Sequence, residues 1–83
     1  MKLMYFAWVR EKIGVSQEEQ DLPEEVYDVA DLVEWLKSRG DGYADAFADK
    51  MIVRVSVNQN YVTFEHRITT YDEVAFFPPV TGG

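Results

Sequence analysis

Residues 28–40 read Asp-Val-Ala-Asp-Leu-Val-Glu-Trp-Leu-Lys-Ser-Arg-Gly, and they predict the clearest helix of the chain, over 28–39. Apolar residues recur at i, i+3, i+4 and i+7, the spacing of a single helix face. Asp28 is a favourable N-cap residue, and Gly40 suits a left-handed helix end. The apolar stripe consists of Val29, Leu32, Val33 and Leu36.

Strand-like segments flank this helix on both sides. Residues 2–9 are apolar on both faces, and a helical turn is predicted at 10–14 before a polar edge strand at 17–22. After a short or irregular helix at 42–49, the predicted strands are 51–57, 61–64 and 72–80, with a hairpin turn at Asn58-Gln59-Asn60. The order predicts an α+β fold of the β-grasp (ubiquitin-like) type, in which a mixed sheet of about five strands packs on one main helix. Its first and last strands would lie parallel in the centre.

Length and composition favour one small domain, 1–80, followed by a flexible, extended tail at 81–83. With no cysteine and one histidine, neither thiolate chemistry nor a metal site is expected. The net charge is −7 and the basic residues are scattered, so nucleic-acid binding is not expected. Residues 11–34 hold nine carboxylates and one lysine, which indicates either a solvated face or steering toward a basic partner.

The N-terminal apolar run, residues 3–9, is too short for a membrane span. It is followed by Arg-Glu-Lys and has no small-residue cleavage site, which argues against a signal peptide. The sequence therefore predicts a cytoplasmic protein without a membrane partner.

The chain ends in Phe76-Phe77-Pro78-Pro79-Val80-Thr81-Gly82-Gly83. Prolines cannot continue a strand ladder, and glycines without Cβ atoms fit a narrow channel. Residues 78–83, extended at about 3.1 Å per residue, would span roughly 18 Å. The pattern favours a terminal carboxylate that is delivered into the active site of another protein, and a frayed terminus without function is the alternative.

Several segments carry a resemblance to a known family: 6–11 (Phe-Ala-Trp-Val-Arg-Glu), 29–32, 57–59, 64–66 and, above all, 72–83. Together the chain resembles the molybdopterin synthase small subunit, the MoaD family of ubiquitin-like sulfur carriers. The resemblance implies that an E1-like activating enzyme uses ATP to adenylate Gly83, which a persulfide then converts to a thiocarboxylate. Gly82 would be the spacer that keeps the tail narrow, and the chain itself would bind no cofactor.

The same resemblance implies sulfur donation to cyclic pyranopterin monophosphate during molybdenum cofactor biosynthesis. The chain would be the sulfur-donating subunit of a two-subunit enzyme, a heterotetramer with a dimeric large subunit, and would not be catalytic alone. Two alternatives share the fold and the Gly-Gly end. One is a protein modifier that is conjugated through Gly83, and the other is a sulfur carrier for thiamine-type biosynthesis.

Partner-binding residues are predicted on the sheet face away from the helix. Phe6, Tyr61 and Phe77 would form an apolar patch there, which Trp8 could extend, although each could equally be a core residue. Arg10 could pair with an acidic group of the partner or be solvated. The approach to the tail would add Pro78, Pro79, Val80 and Thr81.

Two positions depart from the family pattern. Arg67 stands where the family usually has proline, and Tyr71 stands where it usually has glycine. If the turn before the last strand needs a positive φ, Tyr71 would be strained.

Overall fold

The computed structural model describes residues 1–79. The strands are β1 (Lys2–Tyr5), β2 (Gln17–Glu19), β3 (Arg54–Val57), β4 (Asn60–Val62) and β5 (Glu73–Phe77), and the helices are α1 (Ala7–Ile13), α2 (Val29–Lys37) and α3 (Asp41–Ala46), with a 3-10 helix at Lys50–Ile52.

The five strands form one mixed sheet in the order β2-β1-β5-β3-β4, and β1 and β5 are parallel neighbours at its centre. This confirms the predicted β-grasp fold. The predicted tail, 81–83, lies outside the described residues.

Helix α2 begins where the sequence predicted. The Asp28 carboxylate accepts a 2.8 Å hydrogen bond from the backbone N–H of Asp31, and Asp31 accepts one of 3.1 Å from the N–H of Tyr27. This reciprocal cap satisfies two backbone donors at the helix start. The prediction for Gly40 was wrong. It has φ 166°, an extended conformation, and precedes α3, because α2 already ends at Ser38 with ordinary helical angles.

The first strand is shorter than predicted. It ends at Tyr5, and Ala7 adopts a φ of 52° and begins α1, so the predicted strand 2–9 and the helical turn at 10–14 are corrected. Hydrogen bonds of the Val9 and Arg10 amides with the Phe6 carbonyl oxygen hold the first turn of α1. The run from residue 3 to residue 9 is apolar throughout, so its hydrophobic pattern does not show where the strand ends and the helix begins.

The hairpin between β3 and β4 has a two-residue loop. Val57 pairs with Asn60, and the loop residues Asn58 and Gln59 have φ values of 51° and 70°. Positive φ at both positions is the mark of a type I′ turn, whose twist matches that of the strands. The predicted turn is confirmed for Asn58 and Gln59, whereas Asn60, which was predicted to belong to it, is already the first residue of β4. The observed strands are shorter than the predicted 17–22, 51–57, 61–64 and 72–80.

The core lies between one sheet face and the helices. Every second residue of β1 and β5 enters it, and so does the apolar stripe of α2. A fully buried leucine contributes about 1.5–3 kcal/mol relative to an exposed one. The largest fully buried side chains are Tyr5, Phe47, Phe76, Leu3, Leu32, Leu36, Val9, Val29, Val33, Val53 and Val74.

The turn before β5 does not carry the strain considered for it. Tyr71 is 93% exposed and does not have a positive φ. The turn is held by hydrogen bonds of Asp72. The Asp72 carboxylate accepts a 2.8 Å hydrogen bond from the N–H of Thr69, and its N–H donates to the Thr69 carbonyl oxygen. Arg67, the other departure, lies 5.5 Å from the Tyr27 ring centroid in a cation–π contact.

Candidate functional site

The face of the sheet away from the helices carries a patch of three aromatic side chains. We call Phe6, Tyr61 and Phe77 the aromatic patch. Tyr61 is 79% exposed and Phe6 is 45% exposed, while Phe77 is half-buried. The rings of Tyr61 and Phe77 lie 5.6 Å apart, tilted by 44°. The structure therefore brings together the three residues that the sequence analysis singled out.

Strand geometry explains this position. Phe77 follows the core residue Phe76, so the alternation of β5 directs it to the opposite face. Phe6 lies beside it because its N–H donates a 3.1 Å hydrogen bond to the Phe76 carbonyl oxygen. Tyr61 pairs with Ser56 on the neighbouring strand. The patch thus lies at the end of the sheet where β5 gives way to Pro78.

Two open grooves adjoin the aromatic patch, and Tyr61 and Phe77 line both of them. One has a volume of about 390 Å³ and also includes Phe6. The second, which we call the Arg54 groove, has about 450 Å³ and is lined by Arg54, Val55, Tyr61, Val62 and Phe77. Side chains of a partner protein can enter such grooves and desolvate the aromatic rings between them.

The structure describes four further residues that the sequence analysis named for this surface. Arg10 is exposed on α1, one turn beyond Phe6, and lines neither groove. Trp8 packs against the core and lines neither groove, so the structure favours the core alternative for this residue over an extension of the patch. Pro78 and Pro79 follow β5 and are half-buried. Val80, Thr81, Gly82 and Gly83 lie outside the described residues.

Two polar features were missed by the sequence analysis. Arg54 was noted only as an outward residue of its strand, although it lines a groove next to the patch. The second is the Glu18 cluster, formed by Glu18 and the four side chains that donate to it. They are Tyr5 at 2.9 Å, Gln20 at 2.8 Å, Arg39 at 2.8 Å and Tyr43 at 2.6 Å.

The Glu18 cluster strongly favours an ionised carboxylate. Desolvation raises the pKa of Glu18, but the hydrogen bonds from Tyr43, Arg39, Gln20 and Tyr5 outweigh it and lower the pKa to about 2. Burial and the same carboxylate raise the pKa of Tyr5 far above its usual value. The cluster links edge strand β2 to Arg39, which lies between α2 and α3, and to Tyr43 of α3. We therefore assign it a structural role.

Within residues 1–79, no group of three or more histidine, cysteine, aspartate or glutamate side chains is arranged to hold a metal ion. In the same part of the chain, no helix has the length and apolar character that a membrane crossing requires.

A mixed five-stranded sheet packed on one long helix, with a Gly-Gly sequence beyond its central last strand, defines a small ubiquitin-like protein of the β-grasp class. The chain belongs to the ThiS family, which matches residues 3–83.

Relatives and solved structures agree with this family. The chain is 41% identical to the molybdopterin synthase sulfur carrier subunit of Escherichia coli over 85 residues, covering 100% of this chain and 99% of that protein. It is 40% identical to the protein of the same name in Haemophilus influenzae, covering 100% of this chain and 99% of that one. A putative molybdopterin converting factor, subunit 1, of Pyrococcus furiosus shares 35% identity and a TM-score of 0.75, with 95% of each chain covered. The resemblance recognised in the sequence is therefore confirmed.

Proposed function

We propose that this chain is the sulfur carrier subunit of a molybdopterin synthase. The observation that carries the proposal is the position of the aromatic patch at the end of β5, from which the chain continues to Gly82-Gly83. Relatives at 40% and 41% identity over almost their full length bear the name of this subunit. The chain takes part in sulfur transfer as one subunit of a complex, and the large subunit supplies the rest of the active site.

The described residues supply docking rather than chemistry. The aromatic patch and its two grooves offer rigid rings, which bind a partner surface with little loss of conformational entropy. Proline fixes φ, so Pro78 and Pro79 restrict the directions in which the following residues leave the sheet. Docking of the patch would therefore place the terminal carboxylate within a narrow range of positions inside the partner.

The proposed chemistry takes place at Gly83. Its carboxylate attacks the α-phosphate of ATP in an E1-like activating enzyme, which releases pyrophosphate and leaves an acyl adenylate. A persulfide sulfur displaces AMP to give an acyl disulfide, and a second thiol cleaves the sulfur–sulfur bond so that the thiocarboxylate remains. No cysteine of this chain competes in these exchanges.

The thiocarboxylate sulfur would then attack a carbon of cyclic pyranopterin monophosphate in the large subunit and displace an oxygen substituent, which leaves carrier and substrate joined by a thioester. Water cleaves the bond between the Gly83 carbonyl carbon and this sulfur, so the sulfur stays on the substrate and the Gly83 carboxylate is regenerated. One sulfur is delivered per carrier, so the dithiolene of the product requires two deliveries. The family resemblance is the basis for proposing a heterotetramer with a dimeric large subunit. ATP serves the activating enzyme and is not bound by this chain.

The deciding experiment is mass spectrometry of the C-terminal tryptic peptide, residues 68–83, isolated from cells that contain the native partners. Sulfur in place of one terminal oxygen is the expected result. A chain lacking Gly83 is the matched control and should fold normally but acquire no sulfur. An unmodified carboxylate on all carrier molecules, or full synthase activity of the truncated chain, would refute the proposal. Peptides joined to lysines of other proteins without any thiocarboxylate would support the modifier function instead.

A further inference from the structure

Arg54 begins β3 on the same sheet face as the aromatic patch. It pairs in register with Phe77, the last residue of β5, so its side chain lies beside the point where the strand ends. Arg54 is an exposed residue and lines the Arg54 groove together with Tyr61 and Phe77. An arginine next to two aromatic rings is the composition in which binding energy concentrates at protein interfaces.

The Arg54 side chain is already oriented by the backbone. Its Nη1 atom donates to the carbonyl oxygen of Met51 at 3.0 Å and to that of Val53 at 3.3 Å. These bonds leave Nη2 and Nε as further donors, since the guanidinium group has five N–H donors in a fixed fork. A partially fixed arginine loses less entropy when it binds a second group.

No carboxylate of the described residues neutralises Arg54. The ion pairs found within residues 1–79 join Lys37 to Glu34 and Arg39 to Glu18, on other parts of the surface. What distinguishes Arg54 from the other basic residues is its position in the lining of a groove that adjoins the aromatic patch. A planar fork that can donate two parallel hydrogen bonds fits a carboxylate or a phosphate, and the carboxylate is the one of these two groups that unmodified protein side chains carry.

We propose that Arg54 binds a carboxylate side chain of the synthase large subunit, while the adjoining Arg54 groove takes an apolar side chain of the same surface. The inference rests on the proposed function, because it assumes that this partner docks on the aromatic patch. Arg54 would act as a specificity residue. It would attract a partner whose contact surface is acidic next to the opening that receives the tail, and would disfavour one that is basic there.

The first test measures the affinity of the full chain for the large subunit of the same organism by calorimetry. We expect Arg54→Ala to raise Kd about tenfold at low salt, Arg54→Glu to raise it further, and Arg54→Lys to lie between wild type and Arg54→Ala. The loss for Arg54→Ala should shrink as salt is added, because screening weakens the ion pair. Arg67→Ala is the matched control for removal of an exposed arginine away from the patch, and its Kd should equal that of wild type.

A second measurement identifies the partner group directly. Treatment of the complex of Arg54→Lys with a carbodiimide should join the introduced amine to a large-subunit Asp or Glu through an amide bond. Arg67→Lys, placed on another part of the surface, should give no such product.

The outcomes separate the two proposals. If Phe77→Ala weakens binding but Arg54→Ala and Arg54→Glu bind like wild type, the role of Arg54 is refuted and the proposed function stands. If wild type does not bind the large subunit at all, both proposals fail. Thermal unfolding of each variant shows whether a loss of affinity reflects a loss of folded protein.

Discussion

The hydroxyl group of Tyr43 donates a 2.6 Å hydrogen bond to the carboxylate of Glu18, and this contact joins helix α3 to edge strand β2 across 25 residues of sequence. The Arg39 guanidinium binds the other carboxylate oxygen at 2.8 Å and lies 5.0 Å from the Tyr43 ring centroid. A short strand such as β2 pairs with one neighbour only, so the side-chain contacts supply much of what holds it. The edge of the sheet thus depends on one ionised carboxylate.

Glu18→Gln should therefore destabilise the domain. The amide cannot accept the same charged hydrogen bonds, and we expect a loss of about 2 kcal/mol in the free energy of unfolding at pH 7. The pKa of Glu18 is lowered from 4.5 to about 2 on folding, so its ionisation stabilises the folded state above pH 4.5 and this contribution disappears as the pH falls toward 2. Urea unfolding of both proteins between pH 7 and pH 2 should show the difference shrinking below about pH 4.5. A difference that stays constant over this range would contradict the assignment.

Phe76 and Phe77 are adjacent in sequence, but truncation of Phe76 should destabilise the domain much more than truncation of Phe77. Phe76 is fully buried and packs edge-on against Phe47 with 4.9 Å between ring centroids, so Phe76→Ala should cost about 3–5 kcal/mol. Phe77→Ala removes mainly the contact with Tyr61 and should cost about 1 kcal/mol. Large-subunit affinity should fall strongly for Phe77→Ala although the domain remains folded. Equal destabilisation by both substitutions would show that Phe77 supports the fold as much as Phe76 does, and would contradict its assignment to an outer sheet face that is available to a partner.

The hairpin loop allows a second matched pair. Gln59 holds a φ of 70° at some steric cost, and Gln59→Gly should stabilise the domain by about 0.5–1 kcal/mol. Asn58→Gly should destabilise it, because the Asn58 side chain donates to Asp72 at 2.9 Å and accepts from the N–H of Glu73 at 3.0 Å. Thermal unfolding distinguishes the two. Stabilisation by both substitutions would mean that the side-chain bonds of Asn58 contribute little.

The features predicted correctly from the sequence are those whose determinants are local. The cap of Asp28 lies within four residues, and the tolerance of Asn58 for positive φ is intrinsic to asparagine. The end of β1 was missed because Ala7 adopts its φ of 52° within an unbroken apolar run. The Glu18 cluster was missed because its members, from Tyr5 to Tyr43, meet only after the sheet and helices have packed. The position of Arg54 beside the aromatic patch was missed for the same reason, because it depends on the pairing of Arg54 with Phe77 in the folded sheet.

Gly42 provides a final test of how the helices pack against one another. A Cβ atom at this position would collide with the backbone carbonyl oxygen of Lys12, which belongs to helix α1 and cannot rotate away. Gly42→Ala should therefore separate α3 from α1 and cost about 1–3 kcal/mol in urea unfolding, although alanine is the better helix former. Gly40→Ala is the matched control, since its Cβ would meet only the Tyr43 ring at 3.9 Å, an ordinary contact. If Gly42→Ala were as stable as Gly40→Ala, this result would contradict the close packing of α1 against α3 that the structure shows at Gly42.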